Sequence, residues 1–131
     1  MDSTSYTDDV KTVAVIGASR DRTKFGNRAV RAFQRRGFDV VPINPNEDEI
    51  EGFRTYRSIL EVSQAIDVAT VYVPPDEALV VVEDIAKKGI PELWLNPGAD
   101  TSEVVERARE LGLNPIVACN LMSLGEMPDV S

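Results

Sequence analysis

Short apolar, largely β-branched runs alternate along this chain with stretches in which apolar residues recur every three or four positions, so strands and helices are expected in turn. Thr12 to Ile16 is continuously apolar, as in a strand covered on both faces. A polar loop, Gly17 to Thr23, leads into a helix from about Lys24 to Arg36, with Ala29, Val30 and Phe33 on one face and Gly37 as its stop. Asp39 to Ile43 reads as a second strand, ended by Asn44-Pro45. Ser58-Ile-Leu-Glu61 has capping-box spacing and opens a short helix. Val68 to Val73 is a third strand, ended by Pro74-Pro75. Asp76 to Lys88 is amphipathic, with Leu79, Val82, Ile85 and Ala86 inward, acids in the first turn and Gly89 at its end. Glu92 to Leu95 is a fourth strand, ended by Asn96-Pro97-Gly98. Asp100-Thr-Ser-Glu103 resembles a capping box with Asp100 as cap, starting a helix that runs to Leu111 and stops at Gly112. Asn114 to Ala118 makes a fifth strand.

Five strands separated by helical segments predict an α/β fold: a five-stranded parallel, doubly wound sheet with right-handed crossovers and helices on both faces, three layers in all. The expected strand order is 3-2-1-4-5, which puts a switch point between strands 1 and 4. Ligands of such sheets sit there, outside the carboxyl ends of the strands. A length of 131 residues corresponds to one domain, expected over residues 11–131. Residues 1–10 are expected to be a disordered tail, frayed from Met1 to Asp9, and Cys119 to Ser131 a short closing tail.

Composition then removes whole classes of chemistry. Fourteen Lys and Arg against 22 Asp and Glu give a net charge of −8, which disfavours nucleic acid and anionic membrane surfaces as partners. The sequence contains no histidine, which excludes Ser-His-Asp, Cys-His and phosphohistidine catalysis and the commonest metal ligand. A single cysteine, Cys119, makes neither an internal disulfide nor a thiolate zinc site, so no metal is expected. The longest apolar run, Ala78 to Val82, is too short to cross a membrane. Met1 to Val10 is polar and acidic rather than signal-like, so the expected compartment is the cytoplasm.

The strand ends carry the candidate site. Gly17-Ala-Ser-Arg20, Asn44-Pro45, Val73-Pro74-Pro75 and Asn96-Pro97-Gly98 all fall on one edge of the predicted sheet. Glycine lets backbone amides approach a ligand, and proline gives flat apolar walls suited to a ring system. Each segment singly is also an ordinary turn former; the coincidence of four on the binding edge points to a cleft. The first loop is neither a Walker-type loop nor G-x-G-x-x-G, since the next glycine after Gly17 is Gly26. Asn44-Pro45 also stands where an NAD site would place an acid. Between Arg20 and Arg36 lie seven cations against the single acid Asp21, a local charge of +6. Arg35 and Arg36 suit a helix C-terminus, but Arg20, Arg22 and Lys24 crowd the positive N-terminal end. Their placement there is expected to serve a bound anion.

Thr12-Val-Ala-Val-Ile-Gly-Ala-Ser19, Phe25-Gly26, Val41-Pro-Ile-Asn-Pro45, Val71-Tyr-Val-Pro-Pro75 and Leu93-Trp-Leu-Asn-Pro-Gly98 occur in this order from Lys11 to about Met127. The set resembles the small stand-alone CoA-binding proteins, which are similar in turn to the CoA-binding domain of the succinyl-CoA synthetase α subunit. The resemblance implies a Rossmann-like fold with CoA along the carboxyl edge. Gly17, Ala18, Ser19 and Arg20 would meet its phosphates, with Lys24 and Phe25 nearby. Asn44, Pro45, Val73 and Pro74 would border the adenosine, and Asn96, Pro97 and Gly98 would line the side towards the pantetheine arm. The synthetase's second domain and phosphohistidine have no counterpart in these residues, so ligase activity is not implied.

Asp76, Glu77, Asp100 and Glu103 are accounted for by helix starts, and no carboxylate pair calls for acid–base catalysis. Tyr72 and Trp94 read as core residues, and Cys119 as a small buried hydrophobe or a thiol within reach of CoA. The leading expectation is therefore a protein that binds CoA or acyl-CoA, with no catalytic residue evident. An NAD(P)-binding regulator or oxidoreductase fragment, and an interaction subunit for a partner carrying a catalytic domain, remain open. A homodimer is a further possibility for an α/β domain of this size.

Overall fold

In the computed structural model, which describes residues 10–119, the segments expected from the apolar pattern form the layers of the fold. The expected tail from Met1 to Asp9, and the closing tail after Cys119, lie outside the described residues. The main sheet is built from β1 (Thr12–Ile16), β2 (Asp39–Ile43), β5 (Val68–Val71), β6 (Glu92–Leu95) and β7 (Pro115–Val117). A two-residue pair, β3 (Glu49–Ile50) and β4 (Phe53–Arg54), forms a small antiparallel hairpin after β2. The helices are α1 (Phe25–Arg35), α2 (Pro75–Lys88) and α3 (Ser102–Glu110).

All pairings in the main sheet are parallel, in the order β2-β1-β5-β6-β7. Beyond β2, Tyr56 makes a lone parallel bridge to Ile43, its amide donating to the Pro42 carbonyl at 3.1 Å. With this bridge in the third place, the order is the expected 3-2-1-4-5 pattern with one more strand at the far edge. Val68–Val71 is then the fourth strand, against β1, where the sequence reading had it third and outside β2. The physical reason is composition: residues 44–58 offer no apolar run able to cover a sheet edge, so the third position shrinks to one bridge.

Successive residues of β1 go to opposite faces, and both faces are dry. Ala14 and Ile16 join Ile85, Val82, Val104 and Ala108 of α2 and α3 in one core. Val13 and Val15 meet Ala29, Val30 and Phe33 of α1, with Ile50 from the hairpin, in the other. Local chemistry sets the ends. Pro75 occupies the first turn of α2, and Gly89 closes that helix in the left-handed region at φ 78°. Thr101, rather than Asp100, caps α3 by accepting from the Val104 amide at 3.4 Å; Asp100 instead accepts from the Gly98 amide, tying the preceding turn. Ser58 accepts from the Leu60 amide at 3.1 Å, but the turn it opens is a single 3-10 turn, Ile59–Glu61. Among the described residues no helix is long and apolar enough to cross a membrane.

Candidate functional site

At the carboxyl edge, the loop after β1 turns sharply at Gly17, where φ is 92°. A Cβ there would stand 2.9 Å from the Tyr72 carbonyl carbon and 3.0 Å from Val73 Cγ1, so both conformation and space require glycine. Gly26, in the first turn of α1, is equally constrained, because a Cβ on it would collide with the Gly17 carbonyl. This close approach seats the N-terminus of α1 on the first loop. It is the packing that the third glycine of a dinucleotide motif would provide, reached here from a different spacing.

Side chains from three directions hold the loop's carbonyls. Asn44 Nδ2 donates to the Ala18 carbonyl at 2.8 Å, Asn27 Nδ2 to the Ser19 carbonyl at 2.8 Å, and Arg31 Nη2 to the Arg22 carbonyl at 3.0 Å. Asn27 is fully buried, and its amide also donates to Glu51 Oε2 at 3.0 Å while its oxygen accepts from Arg31 Nε at 2.8 Å. Glu51 thereby sits below the usual glutamate range, chiefly through the Asn27 hydrogen bond, with Arg22 and Arg31 adding to it against a desolvation cost. Asp21 is lowered too, because the Thr23 hydroxyl and amide donate to it at 2.7 and 3.0 Å.

A cleft of about 550 Å³ opens beside this loop. It brings together Gly17, Ala18, Ser19, Lys24, Asn44, Pro45, Val73 and Pro74 of the expected site. Ile16, Ile43, Ile59, Val80 and Val81 give it apolar surface. A second depression of about 340 Å³ adds Phe25 and Pro97, and shares Gly17, Lys24 and Tyr72 with the first. Three expected residues line neither. Asn96 is buried, its amide donating to Thr70 Oγ1 at 2.7 Å and to the Val71 carbonyl at 3.0 Å. Gly98 lies in an exposed turn at φ 102°. Arg20 faces acids: its Nη1 lies 3.7 Å from Glu47 Oε1, in a depression lined also by Asp48, Glu49 and Glu51.

Arg22 likewise pairs with Glu51 at 3.3 Å. Two of the three cations expected to gather an anion at the α1 N-terminus are thus partly balanced by glutamates brought in after β2. Lys24 lines both depressions as the N-cap residue of α1, a helix end with no capping side chain and no acid in its first turn.

Sequence reading missed several lining residues. Tyr72 packs against the α1-side core, as expected, yet also borders both depressions. Its hydroxyl is buried without a hydrogen-bond partner among the described residues, and burial pushes the phenol well above its ordinary range. Asn46, Arg57, Ser58 and Ile59 come from the polar segment after β2, which carries no periodic signal. Glu77, Val80, Val81 and Asp84 recur at helical spacing on α2, a signal present in the sequence but readable equally as a core face. Cys119 is half-buried beside the α1-side core. No group of three or more Cys, Asp or Glu side chains is placed to hold a metal ion among the described residues.

Comparison with known proteins gives consistent matches. The model of the CoA binding domain family matches residues 11–125. An ADP-forming acetate–CoA ligase of Methanocaldococcus jannaschii is 39% identical over 80 residues, 61% of this chain but only 11% of the ligase. The chain thus spans about a tenth of that relative. The uncharacterized protein YneT of Bacillus subtilis is 26% identical over 82% of this chain and 79% of its own. A conserved hypothetical protein of Pyrococcus furiosus superposes with a TM-score of 0.80 at 34% identity, covering 86% of this chain and 98% of that one. With its Rossmann-like sheet and a family match over nearly its whole length, this chain belongs to the CoA binding domain family.

Proposed function

We propose that this protein binds coenzyme A or an acyl-CoA along the carboxyl edge of β1, β2 and β5. The observation that carries the reading is the arrangement at the first loop: Lys24 stands at the uncapped N-terminus of α1, on the rim of a partly apolar cleft. Helix dipole, first-turn amides and ammonium all favour an anion there. The cradle fits such a group, since side chains at Gly17 and Gly26 are excluded by the backbone around them. In this reading the Gly17–Ser19 backbone and Lys24 hold the pyrophosphate, with Phe25 at its border, while Arg20, paired with Glu47, lies outside the cleft and contributes only long-range charge. Asn44, Pro45, Val73 and Pro74 flank the adenosine, and Pro97, with Asn96 and Gly98 shaping its turn, borders the pantetheine arm. A standard NAD site is disfavoured, because the residue closing β2 is Asn44, whose amide is committed to the Ala18 carbonyl.

Isothermal titration of the purified protein with CoA is expected to show saturable binding that weakens as salt is raised. Neither heat nor a thermal shift with millimolar CoA would overturn the reading. The match to one segment of a much larger ligase favours a second role, a CoA-carrying subunit for a separate catalytic chain. A stoichiometric partner recovered with the native protein is the expected result in that case.

A further inference from the structure

The cleft has a second cationic station, contributed by the segment after β2 rather than by the first loop. Arg57 lines it immediately after the Tyr56 bridge, next to Asn46, Ser58 and Ile59 and near Pro45. Among the described residues its guanidinium has no ion-pair partner, whereas Arg20 and Arg22 have Glu47 and Glu51. Its position is fixed from the backbone: the Arg57 amide donates to Glu61 Oε1 at 3.3 Å, and the adjacent Ser58 caps the 3-10 turn. The carboxylates lining the cleft, Glu77 and Asp84, both come from α2. Negative ligand groups are therefore drawn to Lys24 and to Arg57, and repelled from the helix wall between β5 and β6.

A ligand with only a pyrophosphate needs one such station. Two stations on separate segments, in a cleft that also presents apolar and proline surface, match a nucleotide that carries a pyrophosphate and a separate phosphomonoester on its ribose. We propose that Arg57 reads that phosphomonoester, so that the cleft selects a coenzyme bearing a third phosphate over the same molecule lacking it. The inference rests on the CoA reading for the identity of the nucleotide. The shared chemistry, a dianionic ribose phosphate, occurs as the 3′-phosphate of CoA and as the 2′-phosphate of NADP.

Titrating the protein with CoA, dephospho-CoA, NADP and NAD separates these outcomes. CoA is expected to bind about tenfold more tightly than dephospho-CoA, as for one charge-assisted contact at a solvent-open site. Arg57→Ala is expected to bring the two within about twofold, by loss of CoA affinity alone, with the melting temperature retained. Arg54→Ala removes the same charge three residues earlier, from a guanidinium 4.7 Å above the Tyr56 ring and off the cleft, and is expected to keep the preference. Equal binding of CoA and dephospho-CoA by the parent protein overturns the inference while leaving CoA binding intact. So does an Arg57→Ala variant that weakens both ligands alike, or an Arg54→Ala variant that erodes the preference as much. A preference for NADP over NAD that depends on Arg57, without CoA binding, sustains the role of Arg57 and overturns the CoA reading. Failure of all four to bind overturns both.

Discussion

Lys24 and Arg20 lie four positions apart in a single basic run, yet the fold gives them different surroundings. The Arg20 side chain is 71% exposed and pairs with Glu47 at 3.7 Å, an arrangement worth little in water. Lys24 stands at the helix N-terminus and lines both depressions. Lys24→Ala is therefore expected to weaken CoA binding about tenfold, and Arg20→Ala about threefold or less, measured by calorimetry at one low salt concentration. The run of cations was plain in the sequence. Its partial neutralisation was not, because Glu47 and Glu51 lie 27 and 29 positions from Arg20 and Arg22, across a strand and a turn. Asn27 was hidden for the same reason. It reads as an ordinary helix residue until the loop carbonyl of Ser19 and the carboxylate of Glu51 converge on its amide.

At the scale of elements, the β3–β4 hairpin is too short to hold itself, and its attachment runs partly through Glu51, whose φ of 51° sets the turn. Ile50 anchors it to the α1-side core, while Glu51 ties it to Asn27 and Arg22. Because the folded protein holds the Glu51 carboxyl below its ordinary value, this attachment is present near neutral pH. It is lost as pH falls through the lowered midpoint. Carboxyl NMR titration is expected to place Glu51 below the ordinary value of a free glutamate, and Asn27→Ala to move it back upward. The regular strands and helices needed no such tertiary help to be located. Their apolar periods, prolines and stop glycines fixed them to within about two residues, with Thr101 taking the cap from Asp100 and the Ser58 helix reduced to one 3-10 turn.

Across the whole molecule, stability rests on two apolar clusters on opposite faces of one sheet, so a cavity in a central strand is felt throughout. Leu95, fully buried on β6, is a direct test: Leu95→Ala is expected to cost about 2–5 kcal/mol in urea unfolding. CoA at a hundredfold excess over its dissociation constant is expected to return about 2.7 kcal/mol, equally to the variant and the parent, since the ligand edge does not include this side chain. The amino-acid sequence by itself determined the parallel α/β class, the edge on which the candidate residues gather and the family, because these depend on local periodicity and on short motifs in order. Only the tertiary structure decided which strand flanks β1, which arginines meet glutamates and that Arg57, Tyr72 and α2 enclose the cleft. Those outcomes depend on contacts between segments tens of residues apart, and neither periodicity nor composition encodes where such segments meet.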